Sequence, residues 1–464
     1  MAFKKLSLLP ILSIVAIMLI SVSCEQDKLS DDIAAEGNLV ADYDAEAAFE
    51  WNEVYLEIER YAAGYRPGPA PRSLAYLGLA TYEACINGMP DYNSMQGRYP
   101  GLVIPKADPK QKYHWPTVVH AIYSRMMPRF FPNPQVDANA RMLALISNLN
   151  TKYEQEAGAE VFARSKDHGE RVADAVWNWS ATDVVGHDAY LDPFGNYDWQ
   201  ANYDEPGDWV ATTPGPGKPM FPYWGQARRF AINESDRLCA PPIPYSESPN
   251  SELYSQAIEV YSQNTPTLSY IDEWVGEFWS DDLLNLTFSP GPRWIAIASQ
   301  VIKNESSNLE TAIEAYAKVG MALNDAAVAC WYSKYYYNVE RPESYIQRII
   351  DPSWEPNLYN PLTGDEGISP SFPAYPSGHS TMGAAGAEAL ASVWGYSYSM
   401  TDNCHRNRTE FEGVPRTFSS FYDMGAENAW SRVPLGVHFR MDADEGVRLG
   451  TAIGRKVNAL PWKK

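Results

Sequence analysis

LETAIEAYAKVGMALNDAAVACWYSKYYY, Leu309 to Tyr337, decides the fold. Ile313, Tyr316, Val319, Leu323, Ala326 and Cys330 fall on one stripe at helical spacing. The run predicts a long helix. Working outward, the same period recurs upstream. Phe49, Val54, Tyr55, Ile58 and Tyr61 form one stripe, and Leu74, Leu77, Leu79, Tyr82 and Cys85 another. Downstream, an Ala- and Gly-rich helix is expected from Ser380 to Trp394, and a last one from Glu445 to Val457. Clean alternation of the strand type is scarce, so the fold class is all-α.

The chain has 464 residues, enough for one large domain or two packed ones. Between 183 and 249 the helical period breaks, and Gly, Pro, Asp, Trp and Tyr dominate. This reads as an ordered excursion joining an N-terminal helical half, 43–182, to a C-terminal bundle, 250–464. Its acid cluster of Asp198, Asp204, Glu205 and Asp208 has no spacing of a calcium loop and reads as a solvated loop.

The first 24 residues have the pattern of an export signal. Lys4 and Lys5 precede an apolar run from Leu6 to Ile20, small residues follow, and Cys24 stands where a lipoprotein signal is cleaved and lipidated. Residues 25–42 are polar and acidic and read as a flexible tether. The expectation is an exported protein, anchored by lipid at Cys24 or otherwise secreted. Cys85 and Cys330 lie in apolar patterns and read as buried thiols; no pairing of Cys85, Cys239, Cys330 or Cys404 follows from spacing. A net charge of −21 disfavours nucleic acid and anionic membrane as partners. Any anion site must therefore be a local cationic island.

Three motifs in the last third supply one. Lys334 precedes Arg341-Pro342 by seven positions; Pro342 disfavours helix at Arg341 and frees that side chain to turn back. Pro376-Ser377-Gly378-His379 opens the Ala-rich helix: Ser377 can cap it, Gly378 permits close approach, and its first N–H groups favour an anion. Ser431-Arg432 leads to His438 and Asp442, four apart, so that the carboxylate can orient the imidazole. Lys334, Arg341 and Arg432 bring three cations to one oxyanion. Taken singly, each motif fits a solvated face or a helix cap. Their order and spacing together point to a site. His114, His120, His168, His187 and His405 show no ligand pairing and read as ordinary surface or core residues.

This motif set resembles the superfamily that unites vanadium haloperoxidases, type 2 phosphatidic acid phosphatases and bacterial class A acid phosphatases. The closer likeness is to vanadium chloroperoxidase and its bacterial relatives. It is carried by Trp331-Tyr-Ser-Lys334, Phe372-Pro-Ala-Tyr-Pro-Ser-Gly-His379, Glu427-Asn-Ala-Trp-Ser-Arg432 and Leu435-Gly-Val-His438-Phe-Arg-Met-Asp442, with Phe278-Trp-Ser-Asp-Asp282 and Pro292-Arg-Trp294 as a further segment. The resemblance implies two four-helix bundles with the site in the C-terminal one, and vanadate as cofactor. It implies His438 as the ligand of vanadium, and Lys334, Arg341, Ser377, Gly378 and Arg432 around the vanadate oxygens. His379 would be the acid–base group. Asp282, with Asp281 as its rival, would steady His379 or an arginine. Trp331 and Phe372 would line the halide side.

The implied activity is oxidation of halide by hydrogen peroxide to hypohalous acid, with iodide, bromide and chloride all open. Phosphate and vanadate share shape and charge, so an acid phosphatase working through a phosphohistidine at His438 is the alternative. The long N-terminal half, Trp331 and Phe372 favour the haloperoxidase. A non-catalytic anion-binding surface lipoprotein is a third reading.

Overall fold

The computed structural model describes residues 38–212, 218–264 and 267–464. The export signal, Cys24 and most of the tether lie outside the described residues. Residues 38–42 differ from the expected tether: Val40 is fully buried, and the Asn38 carbonyl accepts from the Trp115 indole at 2.8 Å. The packed structure thus begins before residue 43.

Thirteen α-helices and one two-stranded antiparallel ribbon, Met400–Asp402 with Arg416–Phe418, account for the regular structure among the described residues. The first five helices are α1 (Glu46–Tyr61), α2 (Pro69–Cys85), α3 (Trp115–Phe130), α4 (Val136–Ala157) and α5 (Ala159–Ser180). They pack on one another as the N-terminal half. After the excursion come α6 (Glu252–Ser262), α7 (Tyr270–Phe278) and α8 (Arg293–Asn304), then the long α9 (Leu309–Tyr337). The last four are α10 (Pro342–Ile349), α11 (Gly378–Trp394), α12 (Phe421–Trp430) and α13 (Arg440–Asn458). Helices α9, α11, α12 and α13 form the second bundle, and one apolar core runs through both halves.

The reason is α9. The Asn308 side chain caps its start by accepting from Thr311 N–H at 3.0 Å, and Asn338 ends it in the left-handed region at φ 50°. Between them nearly every residue as far as Lys334 is buried, so the helix has no solvent face and is covered on both sides. It meets α2 at glycine: a Cβ at Gly78 would lie 2.7 Å from Ala317 Cα, and one at Gly320 2.7 Å from Leu74 O. Helix α13 meets α11 in the same way through Gly446, Gly450 and Gly454, one per turn. A Cβ at Gly450 would lie 2.1 Å from Thr381 O.

Two helices start earlier than the apolar pattern indicates. Helix α11 begins at Gly378 because Ser377 caps it, and α13 begins at Arg440 because Asp442 accepts from Phe439 N–H at 3.0 Å. Capping, not hydrophobic period, sets both boundaries.

The excursion is ordered over its described residues, through short 3₁₀ turns. The carboxylate of Asp325, buried in α9, accepts from the N–H groups of Phe230, Ala231 and Ile232 at 2.8, 2.7 and 3.0 Å and pins the segment to the long helix. Its acid cluster makes local turns: Asp198 accepts from Gln200 and Ala201 N–H, and Asp208 from Asp204 and Glu205 N–H. Among the described residues no group of three His, Cys, Asp or Glu side chains is placed to hold a metal ion. The four described cysteines are free thiols.

Candidate active site

The structure brings the three motifs to one place. Helix α9 ends at Lys334 and its neighbours, and Arg341 follows as the extended residue before Pro342, which opens α10. The start of α11 supplies Ser377, Gly378 and His379. Arg432 follows α12, and His438 immediately precedes the N-cap of α13. Lys334, Arg341, Ser377 and Arg432 are each 0% exposed.

A cavity of about 220 Å³ opens beside them. Gly378, His379, Arg432, His438 and Asp282 form its polar wall; Trp331, Phe372, Leu283, Pro290 and Ile368 are part of its apolar one. Trp331 and Phe372 meet with ring centroids 4.9 Å apart. Lys334, Arg341 and Ser377 stand behind this wall. Lys334 Nζ donates to the carbonyls of Pro373 and Ala374 at 2.8 and 2.7 Å. Arg341 donates to Phe372 O at 3.0 Å and Val437 O at 2.7 Å. Ser377 Oγ caps α11 by accepting from Ser380 N–H at 3.3 Å.

Asp442 fixes the state of His438. Its Oδ2 lies 2.9 Å from His438 Nδ1, so that nitrogen carries the proton and Nε2 presents a lone pair. Arg341 Nη1 donates to that Nε2 at 3.1 Å. The opposite side of the cavity is held by Asp282, which pairs with Arg432 Nη2 at 2.9 Å and lies 3.8 Å from His379 Nε2. This settles which of the adjacent aspartates faces the cavity. Asp281 turns away, to Arg293 at 3.2 Å and His405 at 3.0 Å.

On the site residues four buried nitrogens have no hydrogen-bond partner among the described residues: Arg341 Nη2, Arg432 Nε, Arg432 Nη1 and His379 Nε2. Buried polar atoms are rarely left so. Arg432 and His379 line the cavity and Arg341 stands just behind it, an arrangement of cationic donors of the kind that suits a tetrahedral oxyanion. The electrostatics agree. Burial draws Lys334 and Arg341 below their ordinary basicity, pushes the Asp442 carboxyl up, and lowers His379 to about 3. An anion in the cavity acts against each of the three cationic shifts, because it favours the charged form of Lys334, Arg341 and His379. Asp282 goes the other way. Burial alone raises its pKa, but Arg432 and His379 outweigh that and hold it below the usual carboxylate range.

Sequence reasoning missed a buried network behind the site. Arg293 pairs with Asp281 and with Asp402 at 2.7 Å, and His405 joins them, so His405 is a networked core residue. Arg66, from the loop between α1 and α2, also lines the cavity and donates to the Asp281 carbonyl at 3.3 Å. It lies far from the motifs in sequence, with no spacing signal to mark it. The segments Phe278-Trp-Ser-Asp-Asp282 and Pro292-Arg-Trp294 were the hints of the network, through Asp281 and Arg293.

Residues 314–461 match the family model of the VCPO second helical-bundle domain. The vanadium chloroperoxidase of Curvularia inaequalis is 26% identical over 495 aligned positions, covering 87% of this chain and 80% of that protein. The crystal structure of the first bacterial vanadium-dependent iodoperoxidase is 27% identical with a TM-score of 0.78, over 91% of this chain and 98% of the other. A holo-type bacterial vanadium-dependent chloroperoxidase has the same fold, with a TM-score of 0.61 at 15% identity over 85% and 94% of the two chains. The architecture is thus an all-α, chloroperoxidase-like pair of helical bundles. The chain is a relative of the vanadium haloperoxidases over nearly its whole length.

Proposed function

We propose that this chain is a vanadate-dependent haloperoxidase, which oxidises halide with hydrogen peroxide to hypohalous acid. The observation that carries the reading is the set of unpartnered donors of Arg341 and Arg432, with the free ring nitrogen Nε2 of His379, beside His438, whose Nε2 lone pair Asp442 fixes. The donor set fits vanadate: a tetrahedral anion, one imidazole, several cationic hydrogen-bond donors.

When bound, vanadate supplies a Lewis acid that activates hydrogen peroxide without changing oxidation state. The chain supplies the rest. His438 offers Nε2 as the metal ligand. Lys334, Arg341, Ser377, the Gly378 N–H and Arg432 hold the oxygens and neutralise their charge. His379, largely neutral in its buried setting, takes the proton of incoming peroxide at Nε2 and returns one to the product oxygen. Asp282 keeps Arg432 in place for this exchange. Trp331 and Phe372 give the halide an apolar wall on which to shed water.

The test is halide oxidation by apo-protein with peroxide, with and without added orthovanadate, beside a phosphate-ester assay. Vanadate should restore turnover with iodide or bromide, and phosphate should compete. Ester hydrolysis without halide oxidation would return the acid phosphatase, with His438 as nucleophile. The exported, Cys24-lipidated form is part of the same proposal. It rests on Lys4, Lys5, the apolar run and Cys24, and Cys24→Ser should release the protein from membranes.

A further inference from the structure

The described residues include eleven methionines, and ten of them are buried. The exception is Met220, and it lines the active-site cavity. Its backbone is fixed there. Met220 N donates to Ser371 O at 2.8 Å, and Met220 O accepts from the Trp331 indole at 3.3 Å and the Tyr335 hydroxyl at 2.7 Å. The residue is therefore tied to the same Trp331 that, with Phe372, forms the aromatic wall. Met382, 1% exposed and one turn beyond His379 on α11, is the other methionine on that cavity.

A thioether is a soft nucleophile that two-electron oxidants convert to the sulfoxide. A hypohalous acid released in this cavity is released into a space that Met220 lines. We propose that Met220 is a modification site, oxidised to methionine sulfoxide by the hypohalous acid made beside it. The inference rests on the proposed haloperoxidase activity. In the step, the sulfur lone pair attacks the electrophilic halogen–oxygen reagent. An S–O bond replaces the O–X bond, sulfur loses two electrons, halide leaves carrying them, and the hydroxyl proton goes to solvent. No other oxidant is needed.

The sulfoxide is polar and has its own strong acceptor oxygen, and it stands against Trp331 on the apolar side of the cavity. It changes the wall on which the halide loses water, so modification accumulates as a loss of activity that depends on turnovers completed rather than on time. Met382, more deeply buried, follows later.

The test uses vanadate-loaded full-length protein, turned over with peroxide and bromide or iodide, then digested and read by peptide mass spectrometry. Met220 should gain one oxygen first, in proportion to turnovers, while the nine described methionines away from the cavity lag at least tenfold. Peroxide alone, or peroxide and halide with apo-protein, should leave Met220 reduced. Met220→Leu should complete severalfold more turnovers before inactivation, scored as turnovers per unit of its own initial rate. A methionine sulfoxide reductase should restore activity to the spent parent but not to spent Met220→Leu. Hypohalous acid formed in quantity while Met220 stays reduced overturns the inference and leaves the haloperoxidase reading intact. Equal oxidation by peroxide alone also overturns it. If no halide is oxidised at all, the proposed function fails and this inference falls with it.

Discussion

His438 Nδ1 and Asp442 Oδ2 lie 2.9 Å apart, and the same carboxylate oxygen accepts from Phe439 N–H. One side chain thus starts helix α13 and sets the imidazole tautomer. Burial costs the Asp442 carboxylate heavily, and Lys334 offsets part of that cost. Asp442→Asn should keep the helix start and lose the charge behind the imidazole. Partners of this kind are worth roughly 10- to 100-fold in metal affinity. Vanadate titration by calorimetry should show a loss of that size. An unchanged affinity would remove Asp442 from the site.

The two active-site histidines should separate. His438→Ala should abolish both vanadate binding and turnover. His379→Ala should still bind vanadate but lose halide oxidation by about a hundred- to ten-thousand-fold, the usual reach of acid–base catalysis. The opposite pattern, with vanadate lost only in His379→Ala, would reverse the roles.

Asp282 neutralises Arg432, which is 0% exposed. Removing one partner of such a pair leaves an uncompensated buried charge, a cost of about 3–5 kcal/mol. Asp282→Ala should lower the thermal midpoint, and orthovanadate should recover part of the loss because it supplies the missing negative charge to Arg432. Thermal denaturation with and without vanadate reads this. No recovery, with vanadate binding verified separately, would mean that Asp282 matters for something other than charge.

Much of the site was legible because its residues sit where elements end. Pro342 makes Arg341 extended, and Ser377 and Gly378 open a helix. Both are local chemistry that three or four residues carry. The span of α9 was legible from its apolar stripe, which runs without interruption from Ile313 to Cys330. What could not be read is what only tertiary approach creates. The choice between Asp281 and Asp282 depends on Arg293 and His405, which face Asp281 from across the fold. Arg66 reaches the Asp281 carbonyl from 215 residues away. Val40 is buried although the stretch from Glu25 to Asn38 before it is mostly polar, because the Trp115 indole holds the Asn38 carbonyl and the segment packs on α9.

Helix contact at glycine makes a separate stability prediction. Gly450→Ala places a methyl group against Thr381 O, so α13 must move off α11. Overpacking of this kind costs about 1–3 kcal/mol. Gly97, with nothing within 4 Å of its added Cβ, is the control, and Gly97→Ala should be close to neutral. Chemical denaturation of both variants checks it. Equal midpoints would mean that the α11–α13 contact yields without cost.

Acid stability should depend on a histidine far from the site. His120 is 1% exposed, accepts from the Trp51 indole at Nδ1 over 3.1 Å, and lies against Tyr123's partner Trp51 and against Tyr153. Burial lowers its pKa from 6.5 to about 4, and Lys166 pushes the same way while Asn150 opposes. The folded value is thus below the unfolded one. Between pH 6.5 and 4 the unfolded chain binds a proton that the folded chain refuses, so the stabilisation is complete above about 6.5 and lost as pH falls through that window. The loss is on the order of 3 kcal/mol at most, about 1.4 kcal/mol per pH unit. His114, lowered by burial to about 4, and His379, lowered to about 3, share the window, so the difference between variant and parent is what reports His120. Asp281 does not blur the window. Burial raises it, but Arg293 and His405 outweigh that and hold it at about 2, so its contribution is lost only below about pH 4. His120→Gln keeps an acceptor for Trp51 and cannot take the proton. Its thermal midpoint should therefore fall less than the parent's between pH 6.5 and 4. If both proteins lose stability with the same slope, His120 is not the group that titrates.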